Sequence, residues 1–93
     1  MDASFERYRR AILDAWHQLP CTRGHPPPSD RAVLLNLYRR SISLSLVIVA
    51  LRLAAARRSP GLPPVRSVAY FCPVIDELAQ ADPAYVDHLA AQL

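Results

Sequence analysis

The sequence contains no lysine, only two glycines and only two cysteines. All 11 basic residues are arginine, a bias that a GC-rich genome alone can produce. Two glycines are too few for a glycine-rich loop that binds phosphate. Cys21 and Cys72 are too few for a small secreted scaffold held by disulfides, and the N-terminus is charged from residue 2, unlike a signal peptide. We therefore expect free thiols and a cytoplasmic protein.

A membrane-spanning segment is also missing. The most apolar stretch is residues 42–51, and Arg52 interrupts it. A helix that crosses a bilayer needs about 20 predominantly apolar residues. The stretch therefore predicts a buried helix and no membrane partner.

What the sequence does contain is apolar residues and proline. Hydrophobic residues make up 52% of the 93 residues, enough for one packed core. Six of the nine prolines cluster at 26–28 and 60–64, where they separate helices, and the other three stand singly at 20, 73 and 83. No run alternates in the manner of a strand. We expect a single helical domain over residues 1–93, either as a whole protein or as a subunit or C-terminal part of a larger system.

The first helix is predicted over residues 4–18, with Ser4 as its N-cap. Its apolar residues recur at intervals of three and four, so they share one face. They are Phe5, Tyr8, Ile12, Ala15, Trp16 and Leu19. Pro20 ends this helix.

Residues 30–58 predict a hairpin of two helices that resembles a helix-turn-helix. Ser29 is the expected N-cap, reinforced by Asp30. One continuous helix is the alternative, but Ser41 and Ser43 favour a break, with helices over 30–40 and 44–58 and Ser43 as the second cap. The second helix is apolar on nearly every side, which places it at the centre of a bundle or at a subunit contact. It offers few polar groups to base edges, so we do not expect it to read DNA sequence.

Residues 66–80 raise the question of Pro73, which lies within an apparent amphipathic helix. Either the helix continues through Pro73 with a kink, or a short turn over 66–71 precedes a new helix, 73–80. The second arrangement is favoured, because proline suits the first helical position. Asp82 and Pro83 then begin a last helix. The predicted fold is all-α, a compact bundle of four to five helices.

Candidate catalytic and metal sites are weak. His17, Cys21 and His25 stand four residues apart, but Pro20 breaks the helix that would align them for zinc. No serine or cysteine lies beside a positioned histidine, and the apolar surroundings of Cys72 should raise the pKa of its thiol. We expect no metal site, no cofactor and no enzymatic activity.

Charge is distributed unevenly along the chain. Residues 1–66 hold all 11 arginines and four acids, a net charge of +7, whereas residues 67–93 hold four acids and no arginine, a net charge of −4. Such asymmetry indicates either an anionic partner or head-to-tail contact between copies.

Three pairs of arginines flank the predicted helices, and arginine binds phosphate in a bidentate manner. We predict that these pairs contact a nucleic-acid backbone. They are Arg9, Arg10, Arg39, Arg40, Arg57 and Arg58. Three aromatic residues near them, Tyr8, Trp16 and Tyr38, belong either to a base-stacking surface or to the core.

Residues 62–78 (LPPVRSVAYFCPVIDEL), with residues 32–58 before them, resemble helical segments of uncharacterised bacterial proteins. Some of those are plasmid or mobile-element proteins related to replication initiation. The two stretches together make up about half of the chain. It is strongest at Arg66, Ser67, Tyr70, Phe71, Pro73, Val74 and Ile75. It implies a C-terminal helical module that works beside another domain. By type alone, the chain also resembles short basic helical subunits of RNA-guided DNA-targeting complexes.

The sequence thus predicts a non-enzymatic accessory module that binds DNA or RNA without sequence specificity, in a mobile-element, replication or RNA-guided defence complex. The alternative is a helical module for protein–protein interaction or self-association without contact to nucleic acid. In that case the apolar residues of 44–58 and 68–78 would pack against a second chain.

Overall fold

The computed structural model describes residues 3–93, which form five α-helices and one 3-10 helix. The helices are α1 (Ala3–Gln18), α2 (Asp30–Arg39), α3 (Leu44–Arg57), the 3-10 helix (Val68–Phe71), α4 (Cys72–Ala79) and α5 (Pro83–Gln92). No strand forms within residues 3–93, apart from an isolated bridge between Thr22 and Val65. The prediction of an all-α bundle of four to five helices is confirmed.

Helix α1 follows its predicted apolar face. Phe5, Tyr8, Ile12 and Trp16 are buried, as their spacing requires. The start differs from the prediction, because the helix already includes Ala3, so Ser4 lies inside the helix and not at its N-cap. After α1 the chain forms a loop over residues 19–29 that returns to α2.

The predicted break between α2 and α3 is present at residues 40–43. Ser41 adopts a left-handed φ of 59°, which no helix interior permits. The side chain of Ser43 then accepts a hydrogen bond from the backbone N–H of Leu46, which confirms it as the N-cap of α3. Helix α3 packs against α1, α4 and α5, so it is the central helix of the bundle. Its buried residues are Val47, Val49, Ala50, Leu51, Leu53 and Ala54.

The structure around Pro73 matches the favoured alternative. The 3-10 helix ends at Phe71, and α4 begins at Cys72, one residue earlier than predicted, so Pro73 is the second residue of α4 and lies in its first turn, where proline is tolerated. Asp82 is the N-cap of α5, since its side chain accepts a hydrogen bond from the N–H of Ala84 at 2.8 Å. These two helix starts are therefore fixed by local sequence.

The start of α2 differs from the prediction. Ser29 makes no capping hydrogen bond through its side chain. Asp30 instead is 5% exposed, and its carboxylate accepts hydrogen bonds from Ser67 Oγ at 2.9 Å and from the N–H of Val68 at 2.7 Å. Ser67 in turn accepts a hydrogen bond from the N–H of Ala69. A buried carboxylate thus joins the first residue of α2 to the first turn of the 3-10 helix.

Replacing Asp30 with alanine should leave the buried N–H of Val68 without an acceptor. We expect the free energy of unfolding, measured by urea denaturation, to fall by about 2–3 kcal/mol. Asp82→Ala is the control, because it removes a capping carboxylate at an exposed helix start, and it should cost about 1 kcal/mol. Equal losses in the two variants would contradict a special role for the buried carboxylate.

Candidate nucleic-acid interface

In the first predicted arginine pair, Arg9 forms an ion pair with an acid of the same chain, whereas Arg10 forms none within residues 3–93. Arg9 binds the carboxylate of Glu6 at 2.9 Å, and Arg31 binds the other oxygen of the same carboxylate at 3.1 Å. Hydrogen bonds from Arg9 and then Arg31 lower the pKa of Glu6. Arg10 is exposed and has no carboxylate partner within residues 3–93. Of this pair, Arg10 is therefore the member whose charge no carboxylate of residues 3–93 compensates.

The members of the second pair, Arg39 and Arg40, also differ in ion pairing. Arg40 binds Asp76 of α4 at 2.9 Å. Arg39 is exposed and makes no ion pair in the described part of the chain. The ion pair links the end of α2 to an acid from the C-terminal third of the sequence.

The members of the third pair, Arg57 and Arg58, differ in ion pairing as well. Both terminal nitrogens of Arg57 bind the carboxylate of Glu77 at 3.0 Å. These hydrogen bonds lower the pKa of Glu77 and raise the pKa of Arg57. Arg58 has no carboxylate partner within residues 3–93. Its guanidinium donates to the carbonyl oxygen of Pro63 and lies 5.2 Å from the centre of the Tyr70 ring.

The basic front and the acidic tail of the sequence therefore meet inside one chain. Asp76 and Glu77 neutralise one arginine each, and Glu6 lies between two more. The remaining seven arginines pair with no carboxylate of residues 3–93, and all but Arg58 are classed as exposed. They are Arg7, Arg10, Arg23, Arg39, Arg52, Arg58 and Arg66.

The aromatic residues near the arginine pairs belong to the core. Trp16 is fully buried, and its indole N–H donates to the carbonyl of Gly24 at 2.9 Å. Tyr8 is buried and donates its hydroxyl to the carbonyl of Ile42 at 2.9 Å, while the Tyr38 ring packs edge-on against it. Trp16 and Tyr8 thus have no ring face available for a base.

An exposed aromatic residue with an arginine over its ring is Tyr70, which sequence reasoning missed. It is 45% exposed, whereas its neighbour Phe71 is fully buried. The signal was present in the sequence, because Val68, Phe71 and Ile75 share the core face and Tyr70 falls off it. What the sequence does not show is that Arg58, twelve residues earlier, stacks on this ring.

A groove lies beside Arg58, between the loop that follows α1 and the linker that follows α3. We call it the proline groove. Its lining includes Pro20, Pro60, Pro64 and the exposed Leu62, together with Arg23 from one loop and Arg58 from the other. Its volume is about 410 Å³. It brings together two arginines that are 35 positions apart in the sequence.

The candidate zinc ligands do not form a site. His17 and His25 do come together, with ring centres 4.7 Å apart and the rings perpendicular. Within residues 3–93, however, no three histidine, cysteine or acidic side chains are grouped so that they could hold a metal ion. Burial, more than any other effect, raises the pKa of the Cys72 thiol, as its apolar surroundings predicted.

No family model matches this chain, and no similar protein was found among the curated proteins or the solved structures. The resemblance of residues 62–78 to replication-type proteins therefore stays a prediction. Within residues 3–93, no helix combines the length and the apolar character needed to cross a membrane.

The burial of Tyr8 predicts how stability changes at high pH. Burial raises the pKa of its hydroxyl from 10.0 to about 12. Because the pKa is higher in the folded state than in the unfolded state, the hydroxyl makes its full contribution to stability below the unfolded pKa. This contribution is lost as the pH rises through the folded pKa. We expect the free energy of unfolding to fall between about pH 10 and 12, and Tyr8→Phe to reduce that fall. Urea denaturation across this range tests it, with the exposed Tyr85→Phe as control. The expectation fails if the two variants have the same pH dependence.

Proposed function

We propose that this chain is a non-enzymatic module that binds the phosphate backbone of a nucleic acid without sequence specificity. The observation that supports the proposal most strongly is the set of seven arginines with no carboxylate partner in residues 3–93. Arginine side chains in that state are available to phosphates, each of which offers a bidentate acceptor. A cytoplasmic accessory role in a mobile-element, replication or RNA-guided complex suits such a module.

The ion pairs refine which of the six predicted arginines should contact phosphate. Arg10, Arg39 and Arg58 bind no carboxylate of residues 3–93. The arginine beside each of them in the sequence already binds an acid of the same chain. A phosphate would have to displace that carboxylate to reach Arg9, Arg40 or Arg57. We therefore assign phosphate contact mainly to Arg10, Arg39 and Arg58.

Each pair supplies its own matched control, because the two neighbours differ in ion pairing but not in charge. Nucleic-acid affinity should fall more for Arg10→Ala, Arg39→Ala and Arg58→Ala than for the alanine variants of the residue beside each. The slope of log K against log salt should also flatten by about 0.7–0.9 for each phosphate contact removed. Anisotropy of labelled single-stranded DNA, duplex DNA and RNA, titrated at several salt concentrations, measures both quantities.

Two outcomes would count against the proposal. Flat titrations of the wild-type chain with all three polymers at low salt would remove nucleic-acid binding from the isolated chain. Equal effects for both members of every arginine pair would mean that the ion pairs do not decide which residues contact phosphate.

Helix α5 favours a protein partner as a second candidate function. Only Val86 of this helix is buried, whereas Tyr85 within the helix and Leu93, which directly follows it, are 44% and 41% exposed. Exposed aromatic and aliphatic side chains at one place on the surface are typical of a contact with another chain.

Light scattering distinguishes this candidate in its self-association form. A chain that associates through α5 should show a mass above 10.4 kDa that increases with concentration. Replacing Tyr85 and Leu93 together with serine should restore the monomer. A wild-type chain that stays monomeric and soluble at high concentration would exclude self-association through α5.

A further inference from the structure

We infer that the nucleic acid bound is single-stranded, and that one base stacks at Tyr70 while the adjoining phosphates lie in the proline groove on Arg23 and Arg58. This inference rests on the proposed function and adds the class of polymer and the place where a base is held. It depends on three features of the structure: the side chains that hold Tyr70, the position of Arg58, and the loops that form the groove.

Tyr70 is exposed but held in place. Its ring packs against the edge of Phe71, with ring centres 5.3 Å apart and an angle of 84° between the rings. Phe71 is fully buried and packs in turn against Trp16 at 6.0 Å. Nearly half of Tyr70 nevertheless remains exposed to solvent. A rigid tyrosine with exposed aromatic surface is the kind of side chain on which single-stranded bases stack.

Arg58 connects this ring to the groove. Its guanidinium lies over Tyr70 at 5.2 Å, contacts the carbonyl of Pro63 and also lines the groove. One hydrogen bond and one ring contact leave several of its five N–H donors for phosphate oxygens. A cation next to an aromatic ring can therefore serve a phosphate and the base attached to it at the same time.

The lining of the groove includes a second cation. Arg23 lies on the loop after α1, and no carboxylate of residues 3–93 pairs with it. The backbone N–H of Val65 donates to the carbonyl of Cys21 at 2.7 Å, which holds this loop against the linker after α3. The apolar prolines and Leu62, which line the same groove, provide surface for a sugar or a second base.

The requirement for a free base selects single strands. In a duplex the bases are stacked and paired inside the helix, so a flat aromatic side chain on the protein surface cannot reach their faces without unstacking them. Phosphate contacts alone would accept either form. An exposed tyrosine beside two arginines thus predicts a preference for single strands, with little dependence on base identity.

The test compares two tyrosines of nearly equal exposure. Tyr70 is 45% exposed and Tyr85 is 44% exposed, but within residues 3–93 only Tyr70 has a guanidinium over its ring. We expect Tyr70→Ala to weaken binding of a labelled oligothymidine by roughly 5- to 150-fold, the range that loss of one stacked base produces. Tyr85→Ala should change it less than twofold, and Tyr70→Phe should restore most of the affinity. Duplex binding should not depend on Tyr70.

A second measurement locates the base directly. Oligothymidine carrying a single 4-thiothymidine should crosslink on irradiation to the peptide that contains Tyr70, and Arg58→Ala should reduce the yield. Circular dichroism confirms that each variant is folded.

Three outcomes would overturn the inference. Salt-dependent binding with equal losses for Tyr70→Ala and Tyr85→Ala would leave the proposed function standing and remove the stacking site. Duplex DNA bound as tightly as the single strand would remove the preference for single strands. Absence of binding by the wild-type chain to any polymer at low salt would reject the inference together with the proposed function.

Discussion

The buried carboxylate of Asp30 is the interaction on which the arrangement of this chain most depends. A carboxylate removed from water is costly unless its oxygens accept hydrogen bonds, and here Ser67 and the N–H of Val68 supply them. The start of the 3-10 helix must therefore stay against the start of α2. That contact fixes where the linker from α3 ends, and so where Phe71 enters the core and Tyr70 remains outside it. One polar contact between distant segments thus sets both the packing of the C-terminal helices and the position of the candidate site.

The uneven charge of the sequence acts largely within the molecule. Arg40 and Asp76 are 36 residues apart, and Arg57 and Glu77 are 20 apart, yet each pair forms an ion pair between elements that pack together. Exposed ion pairs of this kind add little to stability. Their larger effect is on the surface that remains, because they neutralise Arg40, directly after α2, and Arg57 of α3. The excess positive charge is left mainly on α1, on the loops and on single positions of α2 and α3, which is where an anionic partner would find it.

The features that the sequence predicted correctly are those set by neighbouring residues. The buried face of α1 follows from the spacing of Phe5, Ile12 and Trp16, and Ser43 and Asp82 cap helices by bonding residues two or three positions away. The contacts it could not predict join distant residues. Ser29 had the local features of a cap, but the bond from Val68 to Asp30 spans 38 residues and takes precedence. Likewise, Trp16 and Tyr8 lie near arginines in sequence but inside the core, while Tyr70 meets Arg58 only through the fold. Nearness in sequence indicates which side chains are available, and packing decides which of them reach the surface.

The sequence has too few glycines for a glycine-rich phosphate-binding loop, but both of its glycines shape the proline groove. The two glycines of the sequence, Gly24 and Gly61, both have positive φ, +62° and +84°, and they lie in the two loops that form the groove. Nothing lies within 4 Å of where a Cβ would be at either position, so backbone conformation and not lack of space requires glycine there. Prolines restrict much of the remaining backbone of these loops. The loops are restricted before any ligand binds, so the entropy lost on binding in the groove would come mainly from ordering the arginine side chains. One of these, Arg58, already contacts the Tyr70 ring and the carbonyl of Pro63. A site made of restricted loops can therefore hold an anion without the glycine-rich backbone cradle that this sequence cannot form.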